Sequence, residues 1–181
     1  MVPLNVPNVL TVARILLVPV LVVALVDRTR NGDVLAAVVF AVASLTDYVD
    51  GEIARRRGAV TTFGKLMDPL ADKLLIVAAL IALVSLHRLA AWVAMVIIAR
   101  ELVVTILRTA ASAQGVITPA ATLGKLKTVV QVAMVMALIA VGSAPWVDVL
   151  VYLTVALTIA SGADFVFGLR RRLATRPASP A

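Results

Sequence analysis

Cysteine is absent from the 181 residues, which excludes disulfides, thiol catalysis and thiolate metal sites. Histidine occurs once, as His87, in a short turn between two apolar stretches with no carboxylate near it in sequence; a solvated turn position accounts for it. Charge is scarce too: charged residues make up 15% of the chain, where a soluble domain carries about 25%. The cations are spread along the chain without interleaved aromatics, which are 4% of it, so a nucleic-acid surface is disfavoured. What is abundant is apolar: 62% of residues are hydrophobic, and the mean hydropathy is +1.05. Water is not the main solvent of such a fold.

A membrane-spanning helix needs roughly 20 mostly apolar residues. Six such stretches are present, over about 9–26, 34–55, 63–86, 89–112, 120–141 and 146–169. The expectation is an all-α, polytopic membrane protein with six transmembrane helices. The first stretch is too long and too proline-marked for a cleavable signal and has no small-residue cleavage site after it. Before it, Pro3 and Pro7 among apolar residues suggest a short interfacial lead-in over residues 1–8. One membrane domain over 1–173 is expected, followed by a disordered tail at 174–181, where the sequence is rich in Pro, Ala and Ser.

Lys and Arg are retained on the cytoplasmic side of membrane proteins. With the N-terminus inside, the inner helix ends hold Arg14, Arg55, Arg56, Arg57, Lys65, Lys73, Arg100, Arg108, Lys125, Lys127, Arg170, Arg171, Arg172 and Arg176. Only Arg28, Arg30 and Arg88 fall outside, so fourteen of the 17 cations share one side. Both termini are therefore expected in the cytoplasm at the inner membrane. The formal charge of +7 then describes a basic inner rim suited to anionic lipids and phosphorylated substrates. Asp164 and the run Arg170–Arg172 read as a topology anchor rather than a site.

Against this background four acids stand out: Asp47 and Asp50 near the end of the second stretch, Asp68 and Asp72 near the start of the third. Charges inside membrane segments are costly, and where present they are usually functional. At about 1.5 Å per residue, both pairs lie roughly 7 to 14 Å inside the helix ends that meet at the cytoplasmic turn. At about 100° per residue, Asp47, Asp50, Gly51 and Ala54 share an arc of about 100°, and Gly64, Asp68 and Asp72 share about 80°. Each helix thus carries an acidic face lined by small residues. Four carboxylates in low dielectric would repel one another unless cations lie between them. Hard oxygen ligands in this number suit Mg²⁺ or Mn²⁺, and two such ions could serve a phosphoryl transfer. The alternatives are pairing with Arg55, Arg56, Arg57, Lys65 and Lys73 in a solvated hairpin, or a divalent-cation transporter. A transporter should line a path across the bilayer with acids, whereas these stay near one side.

At these residues the sequence resembles the CDP-alcohol phosphotransferase family, whose signature is D-x2-D-G-x2-A-R-x8-G-x3-D-x3-D. Asp47, Asp50, Gly51, Ala54, Arg55, Gly64, Asp68 and Asp72 fill every position. The resemblance implies a six-helix fold, usually a homodimer, and two metal ions held by the four aspartates near the cytoplasmic face. It assigns Asp72 as general base as well as ligand, and gives Gly51, Ala54 and Gly64 the role of leaving room for cytidine and diphosphate. It further implies attack by an alcohol on the lipid-side phosphorus of CDP-diacylglycerol, with Arg55 helping to neutralise charge. The opening segment N-V-P-N-V-L-T-V-A-R is similar to the family's entry segment, so Asn8, Thr11 and Arg14 would bind the nucleotide diphosphate. Capping by Asn8 and interfacial snorkelling by Arg14 are the alternatives.

The acceptor has to be read elsewhere. The segments IIARELVVTILR and LGKLKTVVQVAM are similar to the members of the family that make phosphatidylglycerophosphate, and the likeness spans about 5–141. Glu101, Thr105 and Arg108 share one helix face with Arg100 at its edge, and Gly124, Lys127, Thr128 and Gln131 share another. An acceptor bearing its own phosphate needs cations, because a dianion cannot leave water unpaired. Arg100, Arg108, Lys125 and Lys127 are the candidates, although Lys125 points to a different side and can meet lipid headgroups. Glycerol 3-phosphate is the expected acceptor; cardiolipin synthases, which take phosphatidylglycerol, and phosphatidylinositol phosphate synthases are the alternatives within the family. The sixth stretch matches no motif.

Overall fold

The computed structural model describes residues 6–27, 31–57, 62–114, 116 and 122–174, with side chains described at 12–27, 31–46, 73–114, 116 and 122–173. Six α-helices and no strand are present among the described residues: α1 (Val6–Val26), α2 (Gly32–Arg57), α3 (Thr62–Ser85), α4 (Ala91–Ala113), α5 (Thr122–Ala140) and α6 (Pro145–Ala174). Each matches one of the apolar stretches within a few residues. Two ends differ for physical reasons. α1 starts at Val6, so Pro7 and Asn8 belong to its first turn rather than to a separate lead-in; a proline there lacks only an N–H that the helix would not have used. At the other end α6 continues through Arg170 to Ala174, because Arg171 and Arg172 in the last turn complement its unpaired carbonyls. The expected tail beyond Ala174 lies outside the described residues.

The turn after α3 explains the lone histidine. The N–H of Arg88 donates to the carbonyl of Leu83 and that of His87 to the carbonyl of Val84, each at 3.0 Å. His87 adopts φ 58°, the left-handed conformation that closes a helix in this way. It is exposed, as a solvated turn residue should be.

Two helical segments are long and apolar enough to cross a membrane among the described residues, 122–140 and 145–173; Val12–Val26, Gly32–Thr46 and Lys73–Ser85 form shorter apolar stretches. The distribution of side chains points the same way. Large apolar residues face outward, such as Leu16, Val23, Val34, Leu45, Val129 and Val149, while Arg14, Lys127, Gln131, Thr154, Thr158 and Ser161 are buried. A water-soluble domain arranges these classes the other way round. Apolar faces turned outward suit a membrane-associated protein.

The chain divides into two compact units, residues 1–94 with 135–144, and residues 95–134 with 145–181. In the first, α1 packs against both α2 and α3. Its buried residues include Leu21, Leu25, Phe40, Leu80, Leu83 and Ile139. Arg88 ties three of its ends together. One guanidinium nitrogen, Nη2, donates to Asp33 Oδ2 at 2.7 Å, while Nη1 donates to Asp33 Oδ1 at 3.0 Å and to the carbonyl of Ile139 at 3.1 Å. The start of α2, the turn before α4 and the end of α5 therefore share one fork of donors.

In the second unit, Val104 and Ala111 of α4 pack with Phe165 and Leu169 of α6, and Leu107 and Val116 close the cluster. Beside it Arg108 lies over the Phe165 ring, 5.4 Å from the centroid.

Candidate functional site

The eight fixed positions of the acidic signature fall on regular helix. α2 runs two residues past Arg55, so Asp47, Asp50, Gly51, Ala54 and Arg55 are all helical positions, as are Gly64, Asp68 and Asp72 in α3. The side chains of these residues, and those of Asn8 and Thr11, lie outside the described residues. Among the described residues no group of three or more His, Cys, Asp or Glu could hold a metal ion. A divalent ion here would be held by Asp47, Asp50, Asp68 and Asp72, an all-oxygen donor set of the kind Mg²⁺ and Mn²⁺ take.

Arg14 is described, and it is buried, with 4% of its surface exposed. A snorkelling arginine would reach the lipid interface instead. Asn8 lies within α1, which begins at Val6.

The second unit holds a built polar cluster. Glu101 Oε1 accepts from Arg100 Nη1 at 2.9 Å and from Lys127 Nζ, joining α4 to α5 through one carboxylate oxygen. Arg100 Nη2 donates to Ser161 Oγ at 3.0 Å, which brings in α6. Lys127 is only 2% exposed and Ser161 is 2% exposed. A Cβ added at Gly162 would lie 3.3 Å from Arg100 Cγ, so the missing side chain at that position is what lets the arginine stem cross α6. Three buried polar atoms here have no protein partner: Arg100 Nε, Gln131 Oε1 and Thr158 Oγ1. Buried polar groups are seldom left unpaired, which sets these three atoms apart.

Of the four cations expected at an acceptor phosphate, the structure brings Arg100 and Lys127 together through Glu101. It does not bring Arg108 or Lys125 into that cluster: Arg108 is exposed on the Phe165 ring, and Lys125 is exposed. Arg100 is no edge residue in practice, since it pairs directly with Glu101 and crosses to Ser161. Sequence reasoning misses the contribution of α6, which carries no motif. Its signal is a stripe of hydroxyl and small residues, Thr154, Thr158, Ser161 and Gly162, spaced by three or four in an otherwise apolar helix, the pattern that lets transmembrane helices approach closely.

Comparison with known proteins agrees with the signature. A family model described as CDP-alcohol phosphatidyltransferase matches residues 4–160. The chain is 40% identical over 179 residues to the CDP-diacylglycerol–glycerol-3-phosphate 3-phosphatidyltransferase of Bacillus subtilis, covering 89% of this chain and 93% of that protein. It is 41% identical over 168 residues to a probable phosphatidylglycerophosphate synthase of Mycobacterium tuberculosis, covering 90% and 80% of the two chains. A third relative, a CDP-diacylglycerol–glycerol-3-phosphate 3-phosphatidyltransferase of Rickettsia felis, is 41% identical over 127 residues, 70% of each chain. With the complete acidic signature on α2 and α3, a family match over most of its length and relatives at this identity, the chain is an enzyme and belongs to the CDP-alcohol phosphatidyltransferase family.

Proposed function

We propose that the enzyme transfers the phosphatidyl group of CDP-diacylglycerol to glycerol 3-phosphate, giving phosphatidylglycerophosphate and CMP in phospholipid biosynthesis. The names carried by the relatives support both substrates. The observation that carries the acceptor is the partly buried Arg100 and the buried Lys127 on one carboxylate oxygen, with an unpartnered Arg100 Nε–H beside them. Such a site offers charge-assisted donors to a phosphate in surroundings where a dianion could not otherwise reside.

In this reading a hydroxyl oxygen of glycerol 3-phosphate attacks the lipid-side phosphorus of the diphosphate. The new P–O bond forms as the bond to the bridging oxygen breaks, and CMP leaves with that electron pair. Asp72 takes the hydroxyl proton. Asn8, Thr11, Arg14 and Arg55 hold the nucleotide diphosphate, and Gly51, Ala54 and Gly64 leave it room. Mg²⁺ or Mn²⁺, as a pair held by Asp47, Asp50, Asp68 and Asp72, would when bound neutralise the diphosphate and stabilise its entering and leaving oxygens. Arg108 and Lys125 serve the anionic surroundings of the site, the headgroups and the approaching acceptor, rather than the bound phosphate itself. All six helices span the cell membrane with both termini and the acidic face in the cytoplasm, a topology that the distribution of Lys and Arg supports. Two copies form a homodimer.

The test is an acceptor panel. Purified enzyme in detergent with Mg²⁺ and radiolabelled CDP-diacylglycerol should release CMP with glycerol 3-phosphate, and give no lipid product with phosphatidylglycerol or inositol phosphate. Product from phosphatidylglycerol alone would make it a cardiolipin synthase. Product from inositol phosphate alone would likewise replace the acceptor named here.

A further inference from the structure

Hydroxyl groups on apolar helices usually return their hydrogen bond to a carbonyl three or four residues earlier. Thr46, Ser85, Thr105, Thr128, Thr154 and Ser161 all do so. Thr158 does not: it is 0% exposed, and its Oγ1 has no protein partner. Gln131 is 3% exposed, and its Oε1 has none either.

Their positions in the fold are related. Gln131 lies one turn after Lys127 on the same face of α5, and Thr158 lies one turn before Ser161 on the same face of α6. Each unpartnered group therefore lies about one turn along its own helix from a member of the cluster of Arg100, Glu101, Lys127 and Ser161. At about 1.5 Å per residue these separations are about 4.5–6 Å along the helix axes, a gap that the phosphate and a hydroxyl of a three-carbon skeleton can bridge.

We propose that Thr158 and Gln131 are specificity-determining residues that receive the free C2 hydroxyl of the acceptor. A hydroxyl matches both of them, since it donates to Gln131 Oε1 and accepts from the Thr158 hydroxyl. The proposal rests on the reading that Arg100 and Lys127 hold the acceptor's phosphate. It adds that the second unit selects a hydroxylated phosphate rather than any phosphorylated alcohol. A site built to pair with a hydroxyl rejects an analogue without it, because its own buried polar groups are then left unpaired.

Glycerol 3-phosphate and propane-1,3-diol monophosphate separate the two ideas. Both carry the phosphate and a primary hydroxyl for attack, and only the first has the C2 hydroxyl. The full-length enzyme should prefer glycerol 3-phosphate by about 100-fold in kcat/KM. Thr158→Val, which replaces a hydroxyl by a methyl of the same shape, should reduce that preference about tenfold, all of it through lost turnover of glycerol 3-phosphate, with the deoxy substrate changed less than about twofold. Gln131→Met should act in the same direction, and Thr158→Val alone decides the matter if the larger change prevents folding. Equal losses on both substrates, or wild-type enzyme that does not distinguish them, would overturn the proposal and assign these groups to packing or to buried water. No CMP release by wild-type enzyme with glycerol 3-phosphate would overturn instead the acceptor assignment on which the proposal rests.

Discussion

Replacing Glu101 by Gln keeps the shape of the side chain and removes the charge that Arg100 and Lys127 share. The consequence is uneven. Arg100 retains Ser161 Oγ at 3.0 Å and lies 16% exposed, whereas the Lys127 side chain is 3% exposed and loses the carboxylate its ammonium faces. Breaking one side of a buried ion pair typically costs about 3–5 kcal/mol, and the partial exposure of Glu101 places this case at the lower end, about 3 kcal/mol. For a chain of this length each kcal/mol moves the melting temperature by about 2–4 °C, so Glu101→Gln should lower it on the order of 10 °C. The assay is thermal unfolding in detergent, followed alongside KM for glycerol 3-phosphate, which should rise because Lys127 is no longer held beside Arg100. A cycle with Lys127→Met isolates the pair. The double variant should be less destabilised than the two single losses added together, since the interaction of the pair can be lost only once, with a coupling of about 1–3 kcal/mol. A melting temperature unchanged by Glu101→Gln, or strict additivity in the cycle, would show that the carboxylate does not hold these helices together.

Arg88→Met should lower stability by about 1 kcal/mol without altering kcat or KM, because the Asp33 pair is half-exposed and only the Ile139 carbonyl loses a sheltered donor; thermal unfolding and the CMP assay together check it. His87→Gly should raise stability by up to about 1 kcal/mol, since glycine adopts the left-handed conformation of that position without a Cβ penalty, and a lower melting temperature would contradict a left-handed closure of α3. Gly162→Ala places a Cβ 3.3 Å from Arg100 Cγ and should raise KM for glycerol 3-phosphate several-fold while leaving KM for CDP-diacylglycerol alone; an equal rise in both would mean that the change is felt beyond Arg100. Asp72→Asn should abolish CMP release while the protein still melts cooperatively, and near-normal turnover would remove Asp72 as the base.

How much of the fold and the site is legible in sequence depends on how far apart the cooperating residues lie. The six helices are legible because each is a long apolar run that is continuous in sequence, as the helices of a membrane-associated protein have to be. Asp47, Asp50, Asp68 and Asp72 stand out in the sequence because their spacing is local to two consecutive helices and charges are rare in apolar runs. Arg100 and Lys127 are legible as cations on helix faces, yet Arg108 and Lys125 pass the same test and lie elsewhere. Facing direction within a short helix does not say which neighbour a side chain meets. The bond from Arg88 to Asp33 spans 55 positions and that from Arg100 to Ser161 spans 61, and no periodicity reports pairings at such range.

α6 shows the limit most clearly. A hydroxyl hardly disturbs the hydropathy of a helix, because in lipid it can satisfy itself on its own backbone, so Thr154, Thr158 and Ser161 look alike in sequence. Only the fold separates them: Thr154 bonds the carbonyl of Leu150, Ser161 meets an arginine from α4, and Thr158 meets no protein group. Under the proposal made above, a helix without a motif supplies the selectivity. The acidic signature is common to enzymes that share a donor, whereas discrimination among acceptors calls for groups that differ between them, and those have no reason to form a shared pattern.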